Sequence, residues 1–295
     1  HDLLYSYSVP MPPNLASTIY ANVGSISNRG VELTLSGDVV ETSDFNKNIS
    51  GNVSYNANKI LSLSNEHYQR DYMEVGSTGA PVQKTTHLVK EGGQVGDFYG
   101  WKSTGIKKNG AWICEGGAYG SEKARQIIGN GIPKINAGLS VTMAYKGFDL
   151  LVFGTGTIGN DIFSLLYSAD RSRTNCLTHY YDNSWKQPGD KALYPLSKTV
   201  ANDWYFWSSS ASIFNGSYFK FKQIQLGYTL PKKFTRKFLV NNFRIYASLD
   251  DFFTISNYPG CDPETATTGS HNGMGYDAGT YPTSKKVVFG VNITF

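Results

Sequence analysis

The sequence is short of three things: cysteine, charge and long apolar runs. Its 295 residues include only 3 cysteines, and 17% of its residues are charged. Three cysteines without metal-ligand spacing form neither a complete set of disulfides nor a recognisable zinc site. The low charge, combined with 14% aromatic residues, excludes a disordered chain. No stretch approaches the ~18 apolar residues of a membrane helix, which excludes a helical membrane protein.

Charge and motif content also argue against several functions. The net charge is +4, and the 27 lysines and arginines form no stripe, so nucleic acid is not expected as a partner. The glycine-rich stretch 154–159 matches a dinucleotide-binding pattern, but it lacks the βαβ context which that pattern requires. Asp262-Pro263-Glu264 has two interpretations: a cation or sugar site, or a turn with solvated carboxylates. We expect no catalytic residues, no metal site and no cofactor, and therefore no enzyme.

Strict alternation of apolar and polar residues is the strongest pattern in the sequence. In residues 134–146 one face carries Ile135, Ala137, Leu139, Val141, Met143 and Tyr145. This stretch is about twice the usual strand length of a soluble domain. A tilted strand that crosses a bilayer needs ~9–11 residues. Alternation predicts seven strands in all, at residues 28–40, 46–62, 134–146, 147–158, 218–230, 242–253 and 287–295.

The links between the predicted strands differ in length in a regular way. Short links at 41–45, 146–147 and 231–241 alternate with long Gly-, Tyr- and Asn-rich segments at 63–133, 159–215 and 255–283. Outer-membrane barrels have short periplasmic turns and long extracellular loops. The fold class expected is therefore all-β: a transmembrane antiparallel β-barrel with long extracellular loops. A soluble β-sandwich also alternates, but its loops do not grow long at one end only.

Seven strands cannot make a complete barrel. An open sheet with an apolar face leaves unpaired backbone groups in lipid, and bacterial single-chain barrels have even strand numbers. We therefore expect residues 1–295 to be the C-terminal part of a larger barrel, with the earlier strands absent from this chain. The alternative is that several copies of the chain associate to close one barrel.

Two groups of side chains are candidates for function. The loop segment 159–215 is rich in aromatic residues that can stack on sugar rings, hold a peptide or dock a partner protein, or can instead pack the loop. The candidates for substrate or partner contact are Tyr180, Tyr181, Trp185, Trp204, Tyr205 and Trp207. The candidates for lining the lumen, on the polar face of two strands, are Gln223, Gln225, Arg244 and Tyr246.

An ordered set of segments resembles the C-terminal barrel of the SusC/RagA-like TonB-dependent transporters of Bacteroidetes outer membranes. The segments, which span nearly the whole chain, are ANVGSISNRGVELTLS, ISGNVSYNANKILSLS, GDFYGWKSTGI, GNGIPKINAGLSVTMAYKGFDLLVFGTGTIGNDIF, FKFKQIQLGYTLPKKF, FRIYASLDDFFTISNYPGCDPE and GTYPTSKKVVFGVNITF. One region departs from the family pattern: residues 113–120 replace an acidic segment that is often present, which puts any cation site there in doubt.

The resemblance implies a 22-stranded barrel in the outer membrane of a Gram-negative cell, with a plug domain outside this chain. It also implies energy input from the TonB complex, a SusD-like surface lipoprotein as a lid, and import of oligosaccharides or oligopeptides. Phe295 resembles the terminal aromatic residue read by the barrel-assembly machinery. Two rival functions remain: a passive barrel with an adhesive or structural role, and a soluble glycan-binding β-protein.

Overall fold

The computed structural model describes residues 4–8, 15, 17–22, 24–64, 69–78, 83–118, 120–167, 178–195, 204–266 and 273–295. Strands dominate these ranges, and within them the longest helix, Thr178–Asn183, has six residues. Across the same ranges, no helix has the length and apolar character needed to cross a membrane.

The described strands follow one another along the chain as β1 (Leu4–Ser8), β2 (Thr18–Asn22), β3 (Ser25–Glu41), β4 (Phe45–Ser62), β5 (Tyr72–Val75), β6 (His87–Lys90), β7 (Asp97–Trp101), β8 (Ser103–Ile106), β9 (Trp112–Cys114), β10 (Arg125–Asn130), β11 (Ile135–Tyr145), β12 (Phe148–Ile158), β13 (Asp161–Ser164), β14 (Ile213–Asn215), β15 (Tyr218–Thr229), β16 (Asn242–Ser256), β17 (Tyr276–Asp277) and β18 (Lys286–Thr294). The α-helices are α1 (Thr178–Asn183), α2 (Lys232–Thr235) and α3 (Pro263–Ala266). Short 3-10 helices span Glu122–Ala124, Leu165–Tyr167, Trp204–Ser208, Ser210–Ser212 and Arg236–Phe238.

The seven long strands form one antiparallel sheet, here called the wall sheet. Its order is β18-β16-β15-β12-β11-β4-β3, so that each long strand pairs with its neighbour along the sequence of long strands. This confirms the seven strands predicted from alternation. β16 continues to Ser256, beyond the predicted end at residue 253. Asp251 has a φ of 53° within a bulge against β15, and the bulge interrupts the alternation on which that prediction depended.

The two faces of the wall sheet have opposite chemistry. On the apolar face large side chains are exposed, among them Val31 at 74%, Leu35 at 66% and Phe289 at 79%. The polar face carries residues such as Asn52 and Ser140, which alternate with the apolar ones along the same strands. An exposed apolar face of this extent is typical of a sheet whose surroundings are lipid.

The short links all lie at one end of the wall sheet, here called the short-turn end. Between β11 and β12, Lys146 and Gly147 have φ values of 45° and 89°, which is the two-residue hairpin turn that needs positive φ at both positions. Aromatic rings lie close to this end. The ring centroids of Phe148 and Tyr228 are 4.5 Å apart, and those of Phe45 and Tyr145 are 6.2 Å apart. Their position matches the aromatic girdle expected at a membrane interface.

The long segments at the opposite end, the loop end, have a structure of their own. They contain a four-stranded sheet in the order β10-β7-β6-β5, a three-stranded sheet β14-β13-β17, and a hairpin of β8 and β9. A further hairpin, β1 with β2, precedes the wall sheet. The sequence predicts these segments only as loops, because their strands are too short for alternation to be recognised.

The buried core of the described residues belongs to this loop region and not to the middle of the wall. One cluster joins all three long segments through Phe98, Phe163 and Tyr276, whose exposures are at most 3%. The rings of Phe163 and Tyr276 are stacked with centroids 5.8 Å apart. A soluble core of ordinary type therefore lies at the loop end and connects the three segments to each other.

Candidate functional site

An aromatic cluster lies in the loop region, and we call it the loop core. It consists of Trp112, Tyr180, Tyr194, Phe206 and Trp207, each 0–5% exposed. Tyr180 lies 4.9 Å from Tyr194 and 5.6 Å from Trp207, measured between ring centroids. Two of the predicted contact residues, Tyr180 and Trp207, are thus buried in packing. Their burial favours the packing alternative for these two side chains.

Tyr181 and Trp185 lie beside the loop core but are more accessible. Neighbouring positions on α1 point in different directions, so Tyr180 enters the core while Tyr181 is 60% exposed. The Lys186 ammonium group lies 4.2 Å from the centre of the Tyr181 ring. Trp185 is half-buried, and its backbone N–H donates to the carbonyl of Tyr194 at 2.9 Å. The predicted Trp204 lies in the 3-10 helix Trp204–Ser208, and its side chain is outside the described part of the chain.

Tyr205 is held on a platform built by another loop segment. Its ring packs edge-on against the buried Trp101 with centroids 5.1 Å apart, and it is 38% exposed. Arg125 lies beside Trp101: its guanidinium carbon is 5.4 Å from the centre of that ring, and its Nη1 is 2.9 Å from Glu74. Tyr205 is therefore packed against Trp101 and remains partly accessible.

The polar face of the wall sheet contains a charge pair near the short-turn end. Arg244 donates from Nε to Asp149 Oδ1 at 2.9 Å, and its Nη2 donates to the other carboxylate oxygen. The guanidinium carbon of Arg244 also lies 5.0 Å from the centre of the Tyr246 ring. A bidentate ion pair of this kind fixes the arginine in one orientation.

The predicted lumen residues occupy one polar surface. In the register, Gln223 lies opposite Asp250, Gln225 opposite Ser248, and Arg244 opposite Thr229. All four predicted residues are half-buried in this chain and carry hydrogen-bonding groups. The wall sheet is open here, so their assignment to a lumen stays a prediction.

A group of charged side chains, here called the rim network, joins the wall sheet to the loop region. The sequence does not identify these residues as one site. Lys220 on β15 is 1% exposed, and its ammonium lies 2.7 Å from Asp262 and 2.9 Å from Glu264. Lys222 lies 2.6 Å from Glu264 and 3.2 Å from Asp251. The sequence signal that could have revealed this network is a pair of lysines two positions apart on a strand face that is otherwise uncharged.

The rim network tests the two interpretations of the Asp262-Pro263-Glu264 segment. Both carboxylates are in ion pairs, so the interpretation as a turn with solvated carboxylates is wrong for these two groups. Burial by itself raises the pKa of Asp262, but the hydrogen bonds from Lys220 and Thr283 outweigh it and leave the pKa lowered. Asp262 is therefore held as a carboxylate. Within the described ranges, no three His, Cys, Asp or Glu side chains are grouped to hold a metal ion.

The glycine-rich stretch 154–159 has a packing role at the end of β12. Gly154 lies on the apolar face beside Phe219 of β15, where a Cβ atom would come within 2.7 Å of the ring. An aromatic ring that covers a strand glycine stabilises the sheet at that position. β12 is hydrogen-bonded to antiparallel strands on both sides, which is incompatible with a βαβ unit.

His87 links the first and third long segments. Its Nε2 donates to the carbonyl of Met274 at 3.0 Å, and its Nδ1 lies 2.8 Å from the hydroxyl of Thr86. Burial lowers the pKa of His87, and the hydrogen bond to Met274 offsets that effect only in part. The imidazole is therefore neutral at pH 7.

Comparison with known proteins finds similar sequences over the whole chain. No protein-family model matches it. It is 26% identical to TonB-dependent receptor P3 of Formosa agariphila over 318 residues, covering 100% of this chain and 31% of that protein. It is 25% identical to TonB-dependent receptor SusC of Bacteroides thetaiotaomicron over 311 residues, covering 100% of this chain and 29% of that protein. The chain thus spans about a third of the length of these curated relatives.

Solved structures of transporters have the same fold. The structure of the RagAB peptide transporter matches 100% of this chain and 32% of its own, with a TM-score of 0.75 and 23% identity. The RagAB importer in its open-open state matches with a TM-score of 0.73 and 22% identity, over 100% of this chain and 31% of its own. These matches confirm the predicted resemblance to SusC/RagA-like proteins and the antiparallel all-β fold.

Proposed function

We propose that this chain is the C-terminal part of the barrel of a SusC-like importer in the outer membrane of a Gram-negative cell. One observation carries the proposal: a seven-stranded antiparallel sheet with an exposed apolar face is topped at one end by a packed loop region. The relatives, which include a receptor named SusC, support it over the full length of the chain. The named relatives are described as receptors and as a transporter.

The wall sheet needs further strands before it can lie in lipid. β3 and β18 are its two edges, and unpaired backbone groups at a sheet edge are unfavourable in hydrocarbon. The rest of the same barrel and a plug domain would come from the part of the protein outside these 295 residues. In that arrangement the short-turn end faces the periplasm, the loop end faces outward, and Phe295 serves as the assembly signal at the periplasmic end.

Transport then requires partners at both ends. The TonB complex would act through the plug from the periplasm, and a SusD-like lipoprotein would cover the loop end as a lid. The ligand would be an oligosaccharide or an oligopeptide; RagAB, which shares the fold, is described as a peptide transporter. The polar face with Gln223, Gln225, Arg244 and Tyr246 would line the path.

The exposed rings at the loop end supply the contacts in this proposal. Tyr181 and Tyr205 each present an accessible aromatic surface with a hydroxyl group, which suits sugar rings and peptide side chains alike. Trp185 is accessible in part. Tyr180 and Trp207 hold these residues in place from the loop core, and Trp204 stays a predicted contact.

Uptake by the full-length protein tests the proposed function. Cells that express it should accumulate a labelled oligosaccharide or oligopeptide, and accumulation should stop when TonB is deleted. Ligand and lipoprotein that co-purify with the detergent-extracted protein identify the substrate class and the lid. Surface binding without TonB-dependent accumulation would favour the adhesive barrel, and recovery without detergent would favour the soluble glycan-binding protein.

A paired substitution tests the loop contacts separately. The double variant Tyr181→Ala/Tyr205→Ala should lower uptake and lid association, each by about tenfold if the two rings together contribute roughly 1.4 kcal/mol. The matched control is Tyr72→Ala/Tyr281→Ala, because Tyr72 and Tyr281 are exposed tyrosines of the other long segments. Equal losses in the two double variants, or none in either, would show that the contact assignment is wrong.

A further inference from the structure

The link between β15 and β16 is the most concentrated basic segment of the described chain. Residues 231–241 contain four basic side chains and no acidic one: Lys232, Lys233, Arg236 and Lys237. All four are exposed. Within the described residues, none of them has a carboxylate within salt-bridge distance, whereas Lys146, at the neighbouring turn, lies 3.5 Å from Asp44. The segment therefore presents four uncompensated positive charges at the short-turn end.

Among the described side chains of this segment, two large apolar ones are exposed. Phe234 is 58% exposed and Leu239 is 87% exposed. Leu239 has a φ of 58°, so the chain adopts an unfavourable backbone conformation for a leucine at the position where this side chain is exposed. Basic and apolar side chains together on one short segment are the composition of a membrane-surface anchor.

The segment is fixed to the wall sheet at both of its ends. The backbone N–H of Leu230 donates to the carbonyl of Phe243 at 2.9 Å, and that of Asn241 donates to the carbonyl of Thr294 at 2.8 Å. Inside the segment, Phe234 donates to Pro231 at 2.9 Å and Val240 to Thr235 at 3.3 Å. Its charges are thus held at a defined position relative to the apolar face.

A groove on the apolar face lies next to this segment. It has a volume of about 500 Å³ and is lined by side chains that include Phe148, Leu226, Tyr228, Ile245, Phe289 and Val291. Tyr228 and Ile245 lie opposite each other near the ends of β15 and β16 that the basic segment connects. Ala247, between Leu226 and Phe289 in the register, leaves the groove open in the middle.

We infer that the basic segment and this groove form one binding site for an anionic phospholipid of the periplasmic leaflet. The phosphate would lie among the four cations, and an acyl chain would lie in the groove. Charge complementarity and the continuity of the segment with the apolar face favour a lipid over a soluble acidic partner, which would not occupy an apolar groove. The inference rests on the outer-membrane placement proposed above and adds a lipid to it as a bound partner.

Lipid competition on the purified full-length protein tests the site. The probes are phosphatidylglycerol and phosphatidylethanolamine with the same acyl chains, added to the delipidated protein in detergent and counted by native mass spectrometry. Since one basic residue near an anionic surface contributes about a fivefold factor in binding, we expect at least a roughly tenfold preference for phosphatidylglycerol. The variant Lys232→Gln/Lys233→Gln/Arg236→Gln/Lys237→Gln should lose this preference.

The matched control removes the same charge at the loop end. Lys107, Lys108, Lys285 and Lys286 are also exposed, and their replacement by Gln should leave the preference unchanged. Equal loss in both variants, or no preference in the wild type, would overturn the proposal. So would an unchanged lipid preference accompanied by loss of a co-purifying acidic protein.

Two further variants distinguish the groove from the basic segment. Ala247→Trp fills the groove without changing the charge and should weaken phosphatidylglycerol binding several-fold; an unchanged affinity would contradict the two-part site. If the fourfold variant fails to fold, Lys232→Gln/Lys233→Gln should still reduce the preference. Uptake is measured in parallel, so that a protein which inserts but does not transport would count against the proposed function and not against the lipid site.

Discussion

The wall sheet and the loop core place similar side chains in opposite surroundings. Phe289 on the wall is 79% exposed, whereas Phe206 in the loop core is 0% exposed. The middle of the wall is a single layer with an apolar outside, and the loop region is packed around buried aromatic rings as a soluble domain is. In the proposed membrane placement, the two regions meet two solvents: lipid stabilises the first region from outside, and burial stabilises the second from within.

The largest difference between the regions should appear when one ring is removed from each. Phe206→Ala should destabilise the loop region by about 4 kcal/mol, because the buried ring leaves a cavity. Phe289→Ala should have a smaller effect, because lipid can fill the space. Hydrogen exchange of residues 204–215 in the full-length protein measures the first effect. The temperature at which the folded barrel loses its characteristic mobility in gel electrophoresis measures the second. Comparable effects of the two substitutions would contradict the two-solvent interpretation.

Breaking the rim network should separate the two regions from each other. Lys220→Met leaves the carboxylate of Asp262 buried without its main partner, which should cost about 3 kcal/mol. The expected result is faster hydrogen exchange in residues 257–266, with the wall strands unchanged. Lys222→Met is the control, since Lys222 is more exposed and its removal leaves the Lys220 pairs intact. A control that loosens the segment as much as Lys220→Met would argue against a special role for Lys220.

A charge placed on each face of one strand sharpens the contrast within the wall. Val141 and Thr142 are neighbours on β11 and point to the apolar and the polar face. Val141→Arg should reduce barrel stability by about 2 kcal/mol in lipid vesicles, whereas Thr142→Arg should change it little. Urea-dependent folding into vesicles measures both. A larger loss for Thr142→Arg would reverse the assignment of the faces.

The smallest effect should come from pH, and only in the loop region. The folded protein lowers the pKa of His87, so its contribution to stability is full above the unfolded pKa of about 6.5 and is lost as the pH falls through the lower folded value. The protection factors of residues 273–277, corrected for the intrinsic pH dependence of amide exchange, should therefore fall as the pH drops below about 6.5. His87→Gln should remove this dependence, and a pH response that persists in the variant would assign it to another group.

The wall could be predicted from the sequence because its signal is local. Alternation at 134–146 identifies β11, and the adjacent Lys146-Gly147 turn fixes its pairing with β12 without knowledge of any distant residue. The signal is weaker where the backbone departs from regular geometry, as at Asp251 in the bulge.

The loop region could not be predicted in the same way, because its contacts join distant residues. Trp112 meets Phe206 with ring centroids 4.6 Å apart, although 63–133 and 159–215 are separate segments of the sequence. The aromatic residues of 159–215 indicate a candidate site, but composition does not tell Tyr180, which is buried, from Tyr181, which is exposed. Lys220 and Asp262 likewise become a pair only through the fold.

The cluster of Phe98, Phe163 and Tyr276 has a consequence for engineering and for divergence among relatives. Each of the three long segments contributes one of its rings, and His87 adds a hydrogen bond between the first and the third. A single loop grafted from a relative would arrive without its packing partners. New ligand specificity should therefore be transferable only when the three segments are exchanged as a set, and natural substitutions in one should be accompanied by compensating changes in the other two.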